Sequence, residues 1–146
     1  MKKVLLIADD EESVREAIAC LVGAMYRSRV ESGELEIQTV GDGVEAIALA
    51  SRTAPSLILM DVNMPLIDGI EAFYKIKDNN GNVPVNTFLL TAYSTDGTVR
   101  ERVEQAMTDG LLGCLSKPIG AVDLARIIDE YAFGSGPSGA GSANGA

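Results

Sequence analysis

Short aliphatic runs alternate along the chain with longer stretches in which apolar residues recur every three or four positions. Strands that consist of unbroken apolar runs belong to parallel sheets covered on both faces, and apolar residues three and four apart share one face of a helix. The runs predict five strands, at residues 4–8, 34–40, 57–60, 85–91 and 111–116. The longer stretches predict five helices, at residues 14–25, 44–51, 69–77, 98–107 and 121–131. The alternation predicts an α/β fold, a doubly wound five-stranded parallel sheet with helices on both faces.

Three of the predicted helices begin with a capping signal. Ser13 is followed by Glu16 at the first helix, and this spacing matches the capping box. Thr98 and Glu101 repeat the pattern at the fourth helix. Asp68 directly precedes the third helix and is expected to be its N-cap.

The last 13 residues differ in composition from the rest of the chain. Residues 134–146, GSGPSGAGSANGA, contain only Gly, Ser, Ala, Pro and Asn, which is the composition of a flexible linker. A G-x-G-x-x-G pattern at residues 134–139 follows a predicted helix and opens none, so it does not indicate a dinucleotide site. We expect one domain over residues 1–133 and a tail or linker over residues 134–146.

Composition and charge exclude several classes of function. The formal net charge of −9, from 12 basic and 21 acidic residues, argues against binding to nucleic acid or to an anionic membrane surface. No apolar run is long enough to cross a bilayer and no signal pattern follows Met1, so a cytoplasmic location is expected. The absence of histidine excludes a His-based catalytic triad, a His-ligated zinc site and a phosphohistidine on this chain. Cys20 and Cys114 fit no metal or redox motif and are expected to be free, mostly buried thiols.

Polar residues follow the predicted strands where their carboxyl ends should meet at one edge of the sheet. Asp9 and Asp10 follow the first strand, and Asp61 follows the third. Thr91 ends the fourth strand, and Lys117 follows the fifth. In doubly wound folds, ligands bind outside this edge. Each residue taken singly has an ordinary role, such as an acid that stabilises a helix N-terminus or a lysine at the surface. Their joint position favours a site.

Crowded carboxylates at this edge would repel one another unless a cation lay between them. Mg²⁺ fits such a cluster, since it takes one or two carboxylates together with water and phosphate oxygens. Lys117 could neutralise a phosphate from the other side, and Thr91 could donate a hydrogen bond to it. Asp61, at the end of the central strand, is placed as a nucleophile that forms an acyl phosphate.

Four segments resemble the receiver domain of two-component response regulators. They are IADDEES at 7–13, LILMDVNMPLIDGIE at 57–71, LLTAY at 89–93 and GCLSKPI at 113–119. The resemblance covers residues 2–132 and implies a flavodoxin-like (βα)5 receiver fold.

The resemblance implies a role for each acidic residue. Asp61 matches the phosphorylated aspartate of the family. Asp9 and Asp10 match the acidic pair that holds Mg²⁺, with Asp10 as the direct ligand, and Asp61 itself also matches a ligand. Asn63 matches the position whose backbone carbonyl is a further ligand.

The resemblance also implies roles for residues that follow the fourth and fifth strands. Thr91 matches the switch hydroxyl that moves toward the phosphoryl group, and Ala92 is small, as is usual there. Lys117 matches the phosphate-binding lysine. The Lys117–Pro118 peptide bond is expected to be cis.

Two features depart from the family pattern. The family usually has Tyr or Phe three residues before the lysine, where this chain has Cys114, so the aromatic part of the switch is in question. Tyr93, two residues after Thr91, is a possible substitute. The segment 25–34 between the first helix and second strand is also longer than usual.

The resemblance implies a phosphoacceptor and not an enzyme acting on other molecules. The donor would be a phosphohistidine on a sensor histidine kinase or a histidine phosphotransfer protein. The signal would pass to a downstream protein, or to an output domain if the chain is part of a longer protein, through the face formed by the predicted fourth helix, fifth strand and fifth helix. The same face is a possible homodimer contact.

Two other functions remain as alternatives. A receiver-like module that no longer cycles would act only as a docking surface, and the cysteine at position 114 is its only support. A phosphatase of the haloacid dehalogenase type also uses an aspartate nucleophile with Mg²⁺. That family needs a second aspartate two residues on, where this chain has Asn63.

Overall fold

Five parallel strands form one sheet in the order β2-β1-β3-β4-β5, which confirms the predicted fold class. The computed structural model describes residues 2–91 and 97–134. The strands are β1 Lys3–Ala8, β2 Leu35–Val40, β3 Leu57–Asp61, β4 Thr87–Thr91 and β5 Gly113–Ser116. The strand order reverses at β1, which pairs with β2 on one side and with β3 on the other, and this is where an α/β sheet binds its ligand.

Helices cover both faces of the sheet. In the described residues they are α1 Glu12–Met25, α2 Arg27–Glu31, α3 Gly43–Thr53, α4 Gly69–Asn79, α5 Gly97–Thr108 and α6 Ala121–Ile127, followed by a π-helical turn Ile128–Ala132. No helix within the described ranges is long and apolar enough to span a membrane.

The two faces of the sheet pack into two separate cores. On β1, Leu6 belongs to one hydrophobic cluster, and Leu5 and Ile7 belong to the other. On β3, Ile58 and Met60 alternate in the same way with Leu57 and Leu59. Successive side chains of a strand point to opposite faces, so each central strand must be apolar along its whole length. This requirement explains the unbroken aliphatic runs in the sequence.

Only one of the three predicted capping signals is used. Asp68 caps α4, since its Oδ1 accepts a hydrogen bond from the Glu71 N–H at 2.8 Å. The prediction for Ser13 is wrong, because α1 begins at Glu12 and its N-cap, Glu11, makes no side-chain cap bond. The prediction for Thr98 is also wrong, because α5 already begins at Gly97 and Thr98 lies inside the first turn.

The long connection between α1 and β2 forms the short helix α2, which the sequence pattern did not predict. Tyr26 donates a hydrogen bond to Asp129 Oδ1 at 2.7 Å, and its ring lies 6.0 Å from that of Phe133. The Arg29 guanidinium lies over the Phe133 ring, 4.0 Å from its centroid. The extra residues therefore hold the end of the last helix against α1.

The prediction that both cysteines are mostly buried is wrong for Cys20. Both are free, but Cys20 is exposed and Cys114 is half-buried. The buried face of α1 carries Ile18 and Val22, and a residue two positions after Ile18 points away from that face. Residues 135–146, most of the predicted tail, lie outside the described residues.

Two glycines allow α3 and α4 to start close to the backbone that follows β3. A Cβ atom on Gly69 would lie 2.3 Å from the Asp61 carbonyl oxygen. A Cβ atom on Gly43 would lie 2.4 Å from the Ile67 carbonyl oxygen. Neither contact can be relieved by rotating a side chain, so both positions need glycine if Asp61 is to keep its place.

Replacing Gly69 by Ala is expected to lower the free energy of unfolding by about 2 kcal/mol or more, because α4 must move away from Asp61. Urea denaturation followed by circular dichroism measures the change. Gly23→Ala is the control, since nothing lies within 4 Å of its added methyl group in α1, and we expect it to stabilise the protein by about 0.5–1 kcal/mol. A Gly69→Ala variant as stable as the parent would show that α4 does not depend on close packing against Asp61.

Candidate functional site

Three carboxylates meet at the carboxyl edge of the sheet, as the sequence predicted. Asp9, Asp10 and Asp61 each offer an oxygen atom, and these atoms lie within 4.8 Å of one another. The arrangement follows from the register of β1 and β3, in which Ala8 is opposite Met60, so the next residue of each strand reaches the same edge. Asp9 is 0% exposed and Asp61 is 4% exposed. Asp10 is exposed to solvent.

Lys117 supplies the cation that the two buried carboxylates share. Its Nζ lies 2.7 Å from Asp9 Oδ2 and 3.2 Å from Asp61 Oδ2. The Lys117 N–H donates to the Thr91 carbonyl at 2.8 Å, and this bond fixes the residue beyond the end of β5. The Lys117–Pro118 peptide bond is cis, as predicted. Burial lowers the pKa of the Lys117 ammonium, but its contacts with Asp9 and Asp61 outweigh burial and raise the pKa above its usual value.

The Asp61 side chain is poorly solvated because it is buried. Burial raises its pKa above the ordinary value, and the charge of Asp9 adds to this effect. The Asn63 N–H donates to Asp61 Oδ1 at 3.1 Å, and this bond and Lys117 act in the opposite direction. Asn63 itself is exposed, in the loop that follows β3. The hydrogen bond keeps the Asn63 peptide beside the acidic cluster, where the resemblance places a ligand.

Asp9 is fixed by contacts from three directions. Its Oδ1 accepts a hydrogen bond from the Glu11 N–H at 2.9 Å, and its Oδ2 lies 2.7 Å from the Lys117 ammonium. Its backbone carbonyl accepts a hydrogen bond from Arg15 Nη1 at 3.0 Å. The sequence reasoning did not identify Arg15. A signal was available, since a cation in the first turn of a helix opposes the helix dipole and needs another reason to be there.

The residues predicted to switch lie on β4 and β5. Thr91 is half-buried at the end of β4, opposite Ser116. Cys114 lies opposite Leu89 and packs against the core cluster on that face of the sheet. Burial raises the pKa of the Cys114 thiol, so it stays protonated at neutral pH. Ala92 and Tyr93, which were also predicted to take part, lie outside the described residues.

The donor set suits a hard divalent cation. Three carboxylates face a single ammonium group in the described part of the site, so the cluster keeps an excess of negative charge. Mg²⁺ prefers oxygen ligands and keeps several waters, and the exposed Asp10 leaves one side of the cluster open to solvent. The residues therefore fit the predicted ion, with Asp9, Asp10 and Asp61 as candidate ligands.

Comparison with known proteins shows what this chain resembles. Residues 5–129 match the model of the response regulator receiver domain. The chain is 37% identical over 125 residues to the transcriptional regulatory protein PdtaR of Mycobacterium tuberculosis, covering 86% of this chain and 54% of PdtaR. It is 34% identical over 126 residues to the response regulator PleD of Caulobacter vibrioides, covering 86% of this chain and 25% of PleD. The chain thus spans about half the length of PdtaR and a quarter of the length of PleD.

A solved structure shares the fold. The receiver domain of sensor histidine kinase PA1611 from Pseudomonas aeruginosa superposes with a TM-score of 0.71 at 24% identity, covering 91% of this chain and 99% of that one. The PA1611 structure has a magnesium ion coordinated in its active site cleft.

Replacing Asp61 by Asn is expected to raise the free energy of unfolding by about 1 kcal/mol in buffer with EDTA. The change removes one of two buried carboxylates that compete for the same ammonium, and a charge contact of this kind is worth about 1 kcal/mol or more. Urea denaturation provides the measurement.

Asp10→Asn is the matched control. It removes a charge from the same cluster at an exposed position, so we expect a smaller gain in stability. A less stable Asp61→Asn variant would mean that the Lys117–Asp61 ion pair outweighs the repulsion and the burial of Asp61.

Proposed function

The chain belongs to the response regulator receiver domain family, and we propose that it accepts a phosphoryl group from a partner phosphohistidine onto Asp61 with the help of Mg²⁺. The observation that carries this proposal is the position of Asp61 at the end of β3, buried beside Asp9 and 3.2 Å from the Lys117 ammonium. Burying a second carboxylate beside Asp9 is electrostatically unfavourable, and such perturbed carboxylates cluster at functional sites. The position of Asp61 beside the Lys117 ammonium suits attack on a negatively charged phosphoryl group.

The proposed transfer forms one bond and breaks one. A carboxylate oxygen of Asp61 attacks the phosphorus atom, the bond from phosphorus to the imidazole nitrogen breaks, and that nitrogen keeps the electron pair and takes up a proton. The product is an acyl phosphate on Asp61. Such a reaction requires mainly positioning and neutralisation of charge.

Each neighbour of Asp61 has a part in that task. Lys117 offsets the negative charge of the phosphoryl oxygens, and Thr91 can donate a hydrogen bond to one of them. Asp9 and Asp10 would hold Mg²⁺ together with Asp61 and the backbone carbonyl of Asn63. Bound Mg²⁺ would neutralise the cluster and the incoming phosphate. The magnesium ion in the PA1611 receiver domain supports this assignment.

These 146 residues contain no histidine, so the donor phosphohistidine would lie outside them. We assign this role to a sensor histidine kinase or a histidine phosphotransfer protein. The downstream partner would be a separate protein or an output domain, and it would bind the face formed by α5, β5 and α6. That face could also join two copies of the chain. We propose no activity on other molecules. The chain would only lose its own phosphoryl group slowly by hydrolysis.

A second candidate function is supported by one observation. The family usually has an aromatic residue at the position of Cys114 in β5. Without that ring, no aromatic side chain at this position can pass a movement of Thr91 to the partner-binding face. A domain of this kind could have kept the acidic pocket and lost the phosphorylation cycle, and would then act as a docking module. The following experiment separates the two functions.

Incubation with acetyl phosphate and Mg²⁺ is expected to add one phosphoryl group to the intact protein, because Asp61 and its neighbours contain all parts of the acceptor site. Intact mass measures the product. The gain should be absent in EDTA and absent from the Asp61→Asn variant.

Asp78→Asn is a suitable control, since this exposed carboxylate near the end of α4 should leave the mass gain unchanged. No mass gain, together with no binding of beryllofluoride, would contradict the proposal and favour the docking module.

A further inference from the structure

Arg15 lies close to two turns at the edge of the sheet that carries the acidic cluster. It lies in the first turn of α1 and is half-buried. Its Nη1 donates to the backbone carbonyl of Asp9 at 3.0 Å. Its guanidinium also lies over Gly41 after β2, where a Cβ atom would be 3.5 Å from Nη1. The side chain therefore hydrogen-bonds to the β1–α1 turn and lies close to the β2–α3 turn.

The carbonyl that Arg15 contacts belongs to the peptide group joining Asp9 to Asp10. A peptide group is planar, so fixing its oxygen fixes the orientation of the bond that leads to the next Cα atom. This matters for Asp10 because its exposed carboxylate has no hydrogen bond or ion pair with the described part of the chain. The position of the Asp10 carboxylate thus depends on the backbone that Arg15 holds.

An ordinary ion pair does not account for Arg15. Glu11, Glu12 and Glu16 surround it in sequence, yet it forms no salt bridge with any of them or with another described residue. A cation in the first turn is also unfavourable to the helix dipole. Besides an electrostatic interaction with the exposed Glu16, the polar contact that the described structure gives this side chain is its hydrogen bond to the Asp9 carbonyl.

We propose that Arg15 is a positioning residue for the metal ligands: it holds the Asp9–Asp10 peptide group so that the Asp10 carboxylate is oriented before the cation arrives. The inference rests on the proposed function, since it assumes that the acidic cluster binds Mg²⁺. Residues that orient metal ligands from outside typically change metal affinity 10- to 100-fold when they are removed.

Two effects of removing Arg15 have opposite signs, and this makes the proposal testable. Loss of a positive charge near three carboxylates would strengthen the binding of a cation. Loss of a positioning contact would weaken it. The direction of the change in Mg²⁺ affinity therefore distinguishes a positioning role from a purely electrostatic one.

Mg²⁺ titration by calorimetry is the first measurement, on the wild type and on Arg15→Met, Arg15→Lys and Arg52→Met. Methionine keeps an apolar stem and removes both the charge and the donors, and we expect it to weaken Mg²⁺ binding about ten-fold. Lysine keeps the charge but not the planar group and should lie between methionine and the wild type. Arg52→Met removes the same charge from the exposed last turn of α3, at the opposite edge of the sheet, and should not weaken binding.

Amide exchange in the metal-free protein is the second measurement. The Glu11 N–H donates to Asp9 Oδ1, so its protection from exchange reports how well the turn is held. We expect faster exchange at Glu11 in Arg15→Met and no change in Arg52→Met. This readout does not depend on metal or on phosphorylation.

The outcomes are separable. If the wild type binds Mg²⁺ and Arg15→Met binds it as tightly or more tightly, the positioning role is wrong and the proposed function stands. If the wild type binds no Mg²⁺, the proposed function fails, and the inference about Arg15 fails with it. If Arg15→Met does not fold, Arg15→Lys with unchanged Mg²⁺ affinity and unchanged Glu11 exchange would overturn the inference. Weaker binding together with faster exchange supports it.

Discussion

Two buried carboxylates that share one ammonium group are the constraint on which the site depends. Asp9 and Asp61 are removed from water at the ends of neighbouring strands, and Lys117 reaches both of them. Burying charges is costly unless they are paired, and one ammonium cannot balance the whole cluster. The site therefore carries an excess of negative charge. A divalent cation would supply positive charge here, and in the proposed function the cation and Lys117 would together offset the charge of a phosphoryl group.

The surrounding structure serves to keep these charged groups in place. Parallel pairing brings the ends of β1 and β3 to the same edge, and two cores of aliphatic side chains hold the strands from both faces. Gly69 allows α4 to start against the backbone of Asp61. Arg15 and the Glu11 N–H hold Asp9 from the other side. The charged groups cannot relax away from one another without disturbing packed backbone, which is how a folded protein keeps an electrostatically unfavourable arrangement.

Sequence reasoning succeeded where a residue type and its place in a strand were enough. The five strands, the strand-end positions of Asp61 and Thr91 and the cap at Asp68 were predicted in this way. The cis Lys117–Pro118 bond was predicted from the family resemblance. Sequence reasoning failed where several local solutions competed. Asp9 takes the Glu11 N–H, so α1 starts without the Ser13 capping box. Cys20 has apolar neighbours in sequence but lies on the outer face of α1, and α2 is held by contacts with a distant part of the chain.

The sequence by itself determined the class of fold and the edge of the sheet at which the acidic cluster lies. It could do so because period and residue type are local properties, and because parallel strands bring their carboxyl ends together. Only the tertiary structure decided how those residues are held. Three contacts depend on distances across the fold. Lys117 pairs with both Asp9 and Asp61, Arg15 donates a hydrogen bond to the Asp9 carbonyl, and Gly69 lies close to the backbone of Asp61. Such distances result from packing between segments far apart in the chain, which no local pattern encodes.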